Sequence, residues 1–580
     1  MNNQSHNPLT TTRPKFAFNA WDGLALLIVF AILAFFAWNA KQMATPYQVG
    51  QERVVSLDPH ALPFYAARTV LRMLIAMCFS LLFTLTLGTW AAKSKRAGRF
   101  IIPIIDILQS VPILGYLSVV TVFFIGLFPG SLLGPECAAI FVIFTSQAWN
   151  MALGFYQTLR SIPPEIIEAS RMCHLSTWQR FWRIDVPFSL PLLLWNMMAS
   201  MSAGWFFVVA SEAISVANQD ILLPGIGSYI ALAIEGANLH AISEAVLAMF
   251  IVIIIYDQLL FRPLIAWAEK FKLDQVGREK EQRESWVINL LRRTQFMRSI
   301  GSQFSILFDA FVNLPLFQRK ESSRKITRLK HPERLRIAWY CFIAITTVIS
   351  FYYVSHFVMF QTTIQEVLHV FLLGMITGLR VFLMVILCSL IWVPLGIKIG
   401  LKPRFAEIIQ PIAQVLSAFP ANLFYPFIVI FIATYQLNTN IWLTPLLILG
   451  SQWYVLFNVI AGAASIPKEL IQAADNFAVS GWLRWQRLLL PAIFPFYVTG
   501  AITAAGGAWN ASIVAEVVSW GKQRLTATGL GAYITDYTVQ GDFQRVALGV
   551  GMMCVIVLII NRLVWRPLYN YASNHFIMES

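Results

Sequence analysis

Twelve stretches of roughly 18 or more apolar residues run through this chain, each long enough to cross a hydrocarbon layer about 30 Å thick. They fall near 22–39, 70–92, 103–128, 136–157, 187–214 and 240–261 (spans 1–6), and near 337–354, 370–397, 408–434, 441–462, 491–518 and 545–565 (spans 7–12). Across lipid every backbone N–H and C=O must be bonded within the protein, which leaves helices or closed barrels. The stretches lack the short alternation of barrel strands. The expectation is an all-α membrane protein of about twelve transmembrane helices. Composition agrees: 57% of the 580 residues are hydrophobic and 12% charged, about half the charge of a soluble chain. Pro112 and Pro420 predict breaks in spans 3 and 9.

The net charge of +14 raises the question of nucleic acid, but the basic residues are placed otherwise. They occupy alternate loops: Arg13 and Lys15; Lys93, Lys95, Arg96 and Arg99; Arg160, Arg171, Arg180 and Arg183; Lys398, Lys402 and Arg404; Arg484 and Arg487. The intervening loops 129–135, 216–239 and 519–541 are poorer in them, Lys522 and Arg524 excepted. Such asymmetry marks the cytoplasmic side, so both termini and both repeated loops are expected there. Nucleic acid is excluded as a partner on this ground, and membrane lipid takes its place. The first stretch ends in Phe36-Ala37-Trp38-Asn39-Ala40, a poor cleavage site, and is read as a retained span. Six scattered cysteines form no Cys-x-x-Cys pair, so no metal is expected and they read as small core residues.

The chain also repeats itself. Ile162, Pro163, Glu165, Ala169, Trp178, Arg180, Arg183, Pro187 and Pro191 recur 304 residues later as Ile466, Pro467, Glu469, Ala473, Trp482, Arg484, Arg487, Pro491 and Pro495. Trp149, Trp205, Glu212, Gly225-Ile226-Gly227 and Arg262-Pro263 pair with Trp453, Trp509, Glu516, Gly529-Leu530-Gly531 and Arg566-Pro567 at the same offset. Upstream the offset is 308, pairing Thr69, Arg72, Gly88 and Pro112 with Thr377, Arg380, Gly396 and Pro420. Duplication on this scale means two copies of one unit. With six spans each, and a basic segment joining them on one membrane side, the copies are parallel repeats. The division expected is a tail 1–20, a first domain 21–265, a linker 266–336, a second domain 337–568 and a tail 569–580. Residues 269–336 hold sixteen Lys/Arg and eight Asp/Glu. Within them Trp286-Val287-Ile288-Asn289-Leu290-Leu291-Arg292-Arg293 suits an amphipathic helix on an anionic leaflet, and a solvated tether suits it equally.

The duplicated loops 161–187 and 465–491 carry the mechanism. Pro163 and Pro164 suit a first helical turn, where a missing N–H costs nothing, and Glu165 favours that end. Ser176 and Gln179 have capping-box spacing for a second short helix, and Pro187 stands where span 5 begins. A short helix wedged between two spans is a lever for whatever docks on it; an interfacial anchor is the plainer alternative.

Here the residues resemble a known family. Glu168-Ala169-Ser170 followed by Ile184-Asp185-Val186-Pro187, and Gln472-Ala473-Ala474 followed by Leu488-Leu489-Leu490-Pro491, are similar to the Glu-Ala-Ala…Gly…Ile-x-Leu-Pro loop of binding-protein-dependent ABC transporter permeases. Trp205-Phe206-Phe207-Val208-Val209-Ala210-Ser211-Glu212 and Gly225-Ile226-Gly227-Ser228-Tyr229, with their second copies, resemble the nitrate, sulfonate and taurine branch. His174 and Ala478 stand where the family has glycine, and Gln472 where it has Glu. The resemblance implies the type I, MetI-like fold, here as two permease units in one chain, importing a small solute such as nitrate, a sulfonate, taurine or bicarbonate. It also implies that Pro163, Glu165, Glu168, Ala169, Ser170, His174 and Pro187 dock on one cytoplasmic ATPase subunit. Pro467, Glu469, Gln472, Ala473, Ala474, Ala478 and Pro491 would dock on another. A periplasmic or lipid-anchored substrate-binding protein is the remaining partner implied. The chain itself has no Gly-x-x-x-x-Gly-Lys-Ser/Thr phosphate cradle, so ATP and Mg belong to the partner ATPase and this chain carries no cofactor.

Charges inside spans usually face a cavity or a partner. Arg72 with Glu212, and Arg380 with Glu516, are read either as Arg–Glu pairs between spans or as substrate contacts. Asn196, Ser202, Trp205, Trp509, Asn510 and Ser512 are further candidates for the path, with packing the commoner role for the tryptophans. An ion-coupled carrier of twelve spans is the alternative transporter, but it has no reason to keep the paired loop. A membrane-embedded enzyme would call for clustered His, Asp or Cys, which the eight histidines do not supply.

Overall fold

The computed structural model describes residues 55–216, 219–271, 295–314, 332–360 and 362–576, with scattered positions between 23 and 46 and residue 287. Among the described residues seven helices are long and apolar enough to cross a membrane. Pro59–Lys93, Leu133–Arg160, Thr177–Glu212 and Leu239–Ala268 are spans 2, 4, 5 and 6; Ile364–Gly400, Gly481–Ala515 and Phe543–His575 are spans 8, 11 and 12. Span 7 lies within Pro332–Met359. Most of span 1, and all but residue 287 of the segment 286–293, lie outside the described residues.

Spans 3 and 9 break where their prolines stand. Lys95–Ser110 ends in extended backbone at Val111, and helix resumes at Leu114. Arg404–Ala418 meets Ala421–Thr434 at 76°. Span 10 departs from expectation: it is built of Thr439–Trp442, Thr444–Leu447 and Trp453–Ala464, where span 4 is one helix of 28 residues. Pro445 and Gly450 replace Phe141 and Ser146 of the first copy, removing an N–H and weakening the helix between. Counting bent pairs as single spans gives up to nine among the described residues. The cysteines also differ from expectation: Cys388 is buried, while Cys78, Cys173 and Cys341 are exposed. A span with a lipid-facing side needs no buried position for each small apolar residue.

The repeat extends to helix defects. Spans 5 and 11 each contain a π turn, Phe181–Asp185 and Trp485–Leu489, and spans 6 and 12 contain Asp257–Phe261 and Asn561–Trp565. Each lies two residues ahead of a proline: Pro187, Pro491, Pro263 and Pro567. A proline ring collides with the carbonyl four residues back, and in all four cases that carbonyl lies in the widened turn. Pro59–Lys93 has another π turn, Thr84–Gly88, without a proline; there Thr86 and Thr89 donate to the carbonyls of Leu82 and Leu85 at 2.7 and 2.5 Å, a bond that loosens a helix.

After spans 5 and 11 come two antiparallel hairpins, Ala213–Val216 with Gln219–Leu222 and Val517–Trp520 with Gln523–Thr526. Each leads into a helix, Ile226–Glu235 and Leu530–Gln540, from an extended glycine.

The chain divides into two compact units, residues 1–38, 163–191 and 258–324, and residues 39–162, 192–257 and 325–580. The second has a core drawn from both copies, with Ile113, Leu117, Val142 and Phe207 buried together with Val370, Tyr425, Ala508 and Met553.

Candidate coupling and translocation sites

Both duplicated loops fold alike. Helices Pro164–Met172 and Lys468–Asn476 start after an extended proline, Pro163 or Pro467, with Glu165 or Glu469 in the first turn. Both end in a Schellman motif. Leu175 N–H donates to Ser170 O and His174 N–H to Arg171 O; Val479 N–H donates to Ala474 O and Ala478 N–H to Asp475 O. That ending puts one residue in the left-handed region, and His174 (φ 50°) and Ala478 (φ 53°) occupy it. The geometry explains why a glycine suits this place, and His174 serves as a turn residue. The predicted capping box is present in the first loop: Gln179 N–H donates to Ser176 Oγ at 3.2 Å, and Ser176 N–H to Gln179 Oε1 at 3.0 Å. The second loop has Leu483 there, and instead ties its helices by Arg484–Asp475 at 2.5 Å.

Glu165, Glu168, Ala169, His174, Pro467, Glu469, Gln472 and Ala478 are exposed, Pro163, Pro187, Ala473, Ala474 and Pro491 are partly buried, and Ser170 is buried. Sequence reasoning missed two residues at the loop tips: Met172 and Phe477 are each 81% exposed. A large apolar side chain bared beside a carboxylate suits a protein partner. Helix Lys468–Asn476 is bent 72° from Trp453–Ala464, so the second loop is an elbow.

The charges within the spans are paired. Arg72 donates from Nε to Glu136 Oε2 and from Nη1 to Glu212 Oε1, both at 2.6 Å, and Arg68 Nη2 donates to Glu136 Oε1 at 2.6 Å. All four side chains are fully buried. Thr69 Oγ1 and Gly227 N–H each donate to Glu212 at 2.7 Å. In the second copy Arg380 Nη1 lies 3.3 Å from Glu516 Oε1, its Nη2 donates to Asn440 Oδ1 at 2.9 Å, and Thr377 Oγ1 donates to Glu516 at 2.8 Å. The Arg–Glu pairing set out above is present in both halves. Arg68, Thr69, Glu136 and Asn440 complete it; the charge at 136 within an apolar stretch, and that at 68 just ahead of one, were the available signal.

The duplicated Gly-x-Gly follows from these carboxylates. A Cβ at Gly225 would lie 2.3 Å from Glu212 Oε2, and one at Gly529 2.3 Å from Glu516 Oε1. Each carboxylate fills that space at the N-terminus of the following helix, where bare N–H groups favour negative charge.

The broken spans meet the opposite copy. Asn510 Oδ1 accepts from Ile113 N–H at 2.6 Å, and Ser202 Oγ donates to Ser417 O. Each break leaves backbone groups without helical partners, and span 5 or 11 of the other half satisfies one. A cavity of about 340 Å³ beside the second break is lined by Ser243, Phe250, Phe419, Phe424, Gln452 and Trp453, among others. Trp205 is buried edge-on to Tyr256 at 5.5 Å, and Trp509 is buried with its ring 3.3 Å from where a Cβ of Gly378 would sit. Ser512 Oγ donates to Trp509 O, and Asn196 covers Gly154.

Comparison with known proteins agrees with this geometry. Residues 84–261 and 392–565 match the family described as binding-protein-dependent transport system inner membrane component. A trimethylamine N-oxide transport system permease protein of Pelagibacter ubique is 28% identical over 36% of this chain and 26% of its own length. The nitrate import permease protein NrtB of Leptolyngbya laminosa is 26% identical over 32% of this chain and 63% of its own. The glycine betaine/proline betaine transport system permease protein ProW of Escherichia coli is 30% identical over 27% of this chain and 43% of its own. The chain thus spans less than two thirds of the length of each of these relatives. With two matched segments covering more than half of it, each holding spans, breaks and one duplicated loop, the chain belongs to the family of inner membrane components of binding-protein-dependent transport systems.

Proposed function

We propose that this chain is the transmembrane subunit of an ATP-driven importer, with both copies of the pathway in one polypeptide. Two separate ATPase subunits, holding ATP and Mg, dock on helices Pro164–Met172 and Lys468–Asn476, and a substrate-binding protein delivers solute on the other side. The observation that carries this is the twice-built short helix, with a carboxylate in its first turn and a bared Met172 or Phe477 at its end. The positive charge of the loops that bear these helices puts them, and both termini, in the cytoplasm. The ion-coupled carrier gives way, because it leaves the duplicated loop without a use.

Solute passes, in this reading, where the breaks of spans 3 and 9 meet spans 11 and 5, beside Asn510 and Ser202. Arg72 already donates to two carboxylates in a dry site, so it serves architecture and not substrate. The proposed cargo is a small solute, with nitrate, bicarbonate and taurine tested first, against trimethylamine N-oxide and glycine betaine.

The test is reconstitution of the full chain with its cognate ABC ATPase, followed by Glu168→Lys and Glu469→Lys. Both variants are expected to insert normally and to lose solute-dependent ATP hydrolysis. Full coupling in both, or uptake with no ATPase present, removes the reading.

A further inference from the structure

The two loops are near copies, yet among the described residues the first carries an additional element. Within the first unit, helix Gln295–Val312 of the linker packs on the first loop just after its capping box. Trp178 meets Phe311 with ring centroids 5.2 Å apart, and Trp182 meets Phe308 and Phe311 at 5.7 and 5.8 Å, all edge-on. Three polar contacts fix the register: Trp178 Nε1 donates to Phe311 O at 3.3 Å, Gln179 Nε2 to Asn313 Oδ1 at 3.0 Å, and Arg183 lies 3.9 Å from Asp309. Residues 178, 179, 182 and 183 share one helical face, so the linker reads a single stripe.

The second copy serves as a control built into the chain. Its stripe is Trp482, Leu483, Gln486 and Arg487, so the aromatic Trp182 has become Gln and the amide Gln179 has become Leu. There Trp482 is 68% exposed and Leu483 is 52% exposed. All four residues of the first stripe touch the linker helix; Gln179 and Trp182 are replaced in the second copy, while Trp178/Trp482 and Arg183/Arg487 are shared.

Resting on the importer reading above, we infer that the linker helix is a brace that positions the first coupling loop, so that the two ATPase docking surfaces are not equivalent. The first loop moves as one body with helix Gln295–Val312, and the second moves as a bare elbow. Phe308, Phe311, Trp178 and Trp182 are positioning residues here; they hold the docking helix and do not themselves contact nucleotide or solute.

The test uses the full chain with its ATPase in proteoliposomes, and reads solute imported per ATP hydrolysed. Phe308→Ala with Phe311→Ala is expected to lower that ratio by about twofold, as one of two levers loses its footing, while Phe308→Leu with Phe311→Leu restores it. Trp482→Ala, the same stripe in the second copy, is expected to leave the ratio unchanged. An unchanged ratio in the double Ala variant, or an equal loss in Trp482→Ala, overturns the brace. If Glu168→Lys and Glu469→Lys also leave coupling intact, the importer reading fails as well; if they abolish it, the brace alone is refuted.

Discussion

Replacing Glu136 by Asn is the sharpest test of the buried charge network. In the first copy two arginines face two glutamates, Arg68 and Arg72 against Glu136 and Glu212, all without solvent contact. In the second copy Ile376 stands at the place of Arg68 and Asn440 at that of Glu136, leaving Arg380 against Glu516. Both clusters are neutral, so the chain has lost one charge of each sign together. Glu136→Asn alone takes a 2.6 Å partner from each arginine and leaves two positive charges against one negative in a dry site. Stranding a buried charge in this way costs about 3–5 kcal/mol. Arg68→Ile alone leaves the opposite imbalance at a similar cost. The double variant, which transplants the second copy's pair, regains neutrality and retains a packing penalty of about 1–3 kcal/mol. The cycle should therefore show a coupling energy of at least about 2 kcal/mol, with the double variant more stable than either single one. Unfolding of the purified full chain in detergent, followed by tryptophan fluorescence against denaturant, measures it. Additivity within about 0.5 kcal/mol, or a Glu136→Asn protein as stable as the parent, refutes the argument from charge balance.

Other expectations follow from backbone and packing. His174→Gly and Ala478→Gly relieve a left-handed residue in each loop and should each stabilise the chain by about 1 kcal/mol; the same unfolding assay reads it, and destabilisation counts against the Schellman ending. Gly225→Ala and Gly529→Ala drive a Cβ into a carboxylate 2.3 Å away, so each should unfold at distinctly lower denaturant. Gly506→Ala, with nothing within 4 Å, should gain about 0.5–1 kcal/mol from helix propensity. Asn510→Leu removes the acceptor of Ile113 N–H and should cost about 1–3 kcal/mol; solute uptake that falls no further than stability explains would detach Asn510 from the pathway.

Much of this was legible in the chain. Apolar length alone placed the seven crossing helices found among the described residues, Pro112 and Pro420 marked two breaks, and the 304-residue repeat marked both loops. Those features depend on local properties: solvent preference, a missing N–H, a cap. The pieces of span 10 were signalled by Pro445 and Gly450 but concealed by the apolar residues around them. The short hairpins were hidden in outer loops, although Val517-Val518-Ser519-Trp520 carries the β-branched and aromatic residues of a strand.

What the sequence determined by itself is the class: a duplicated helical membrane protein with two matched loops, because hydrophobic length and repeat are properties of order along the chain. Tertiary structure alone decided which charges meet. Arg72 finds Glu136 across 64 positions and Glu212 across 140, and Asn510 finds Ile113 across 397. It also decided that the linker helix rests on the first loop. Such partners are selected by burial, where an unpaired polar group is expensive, and burial is settled only once distant segments have packed together.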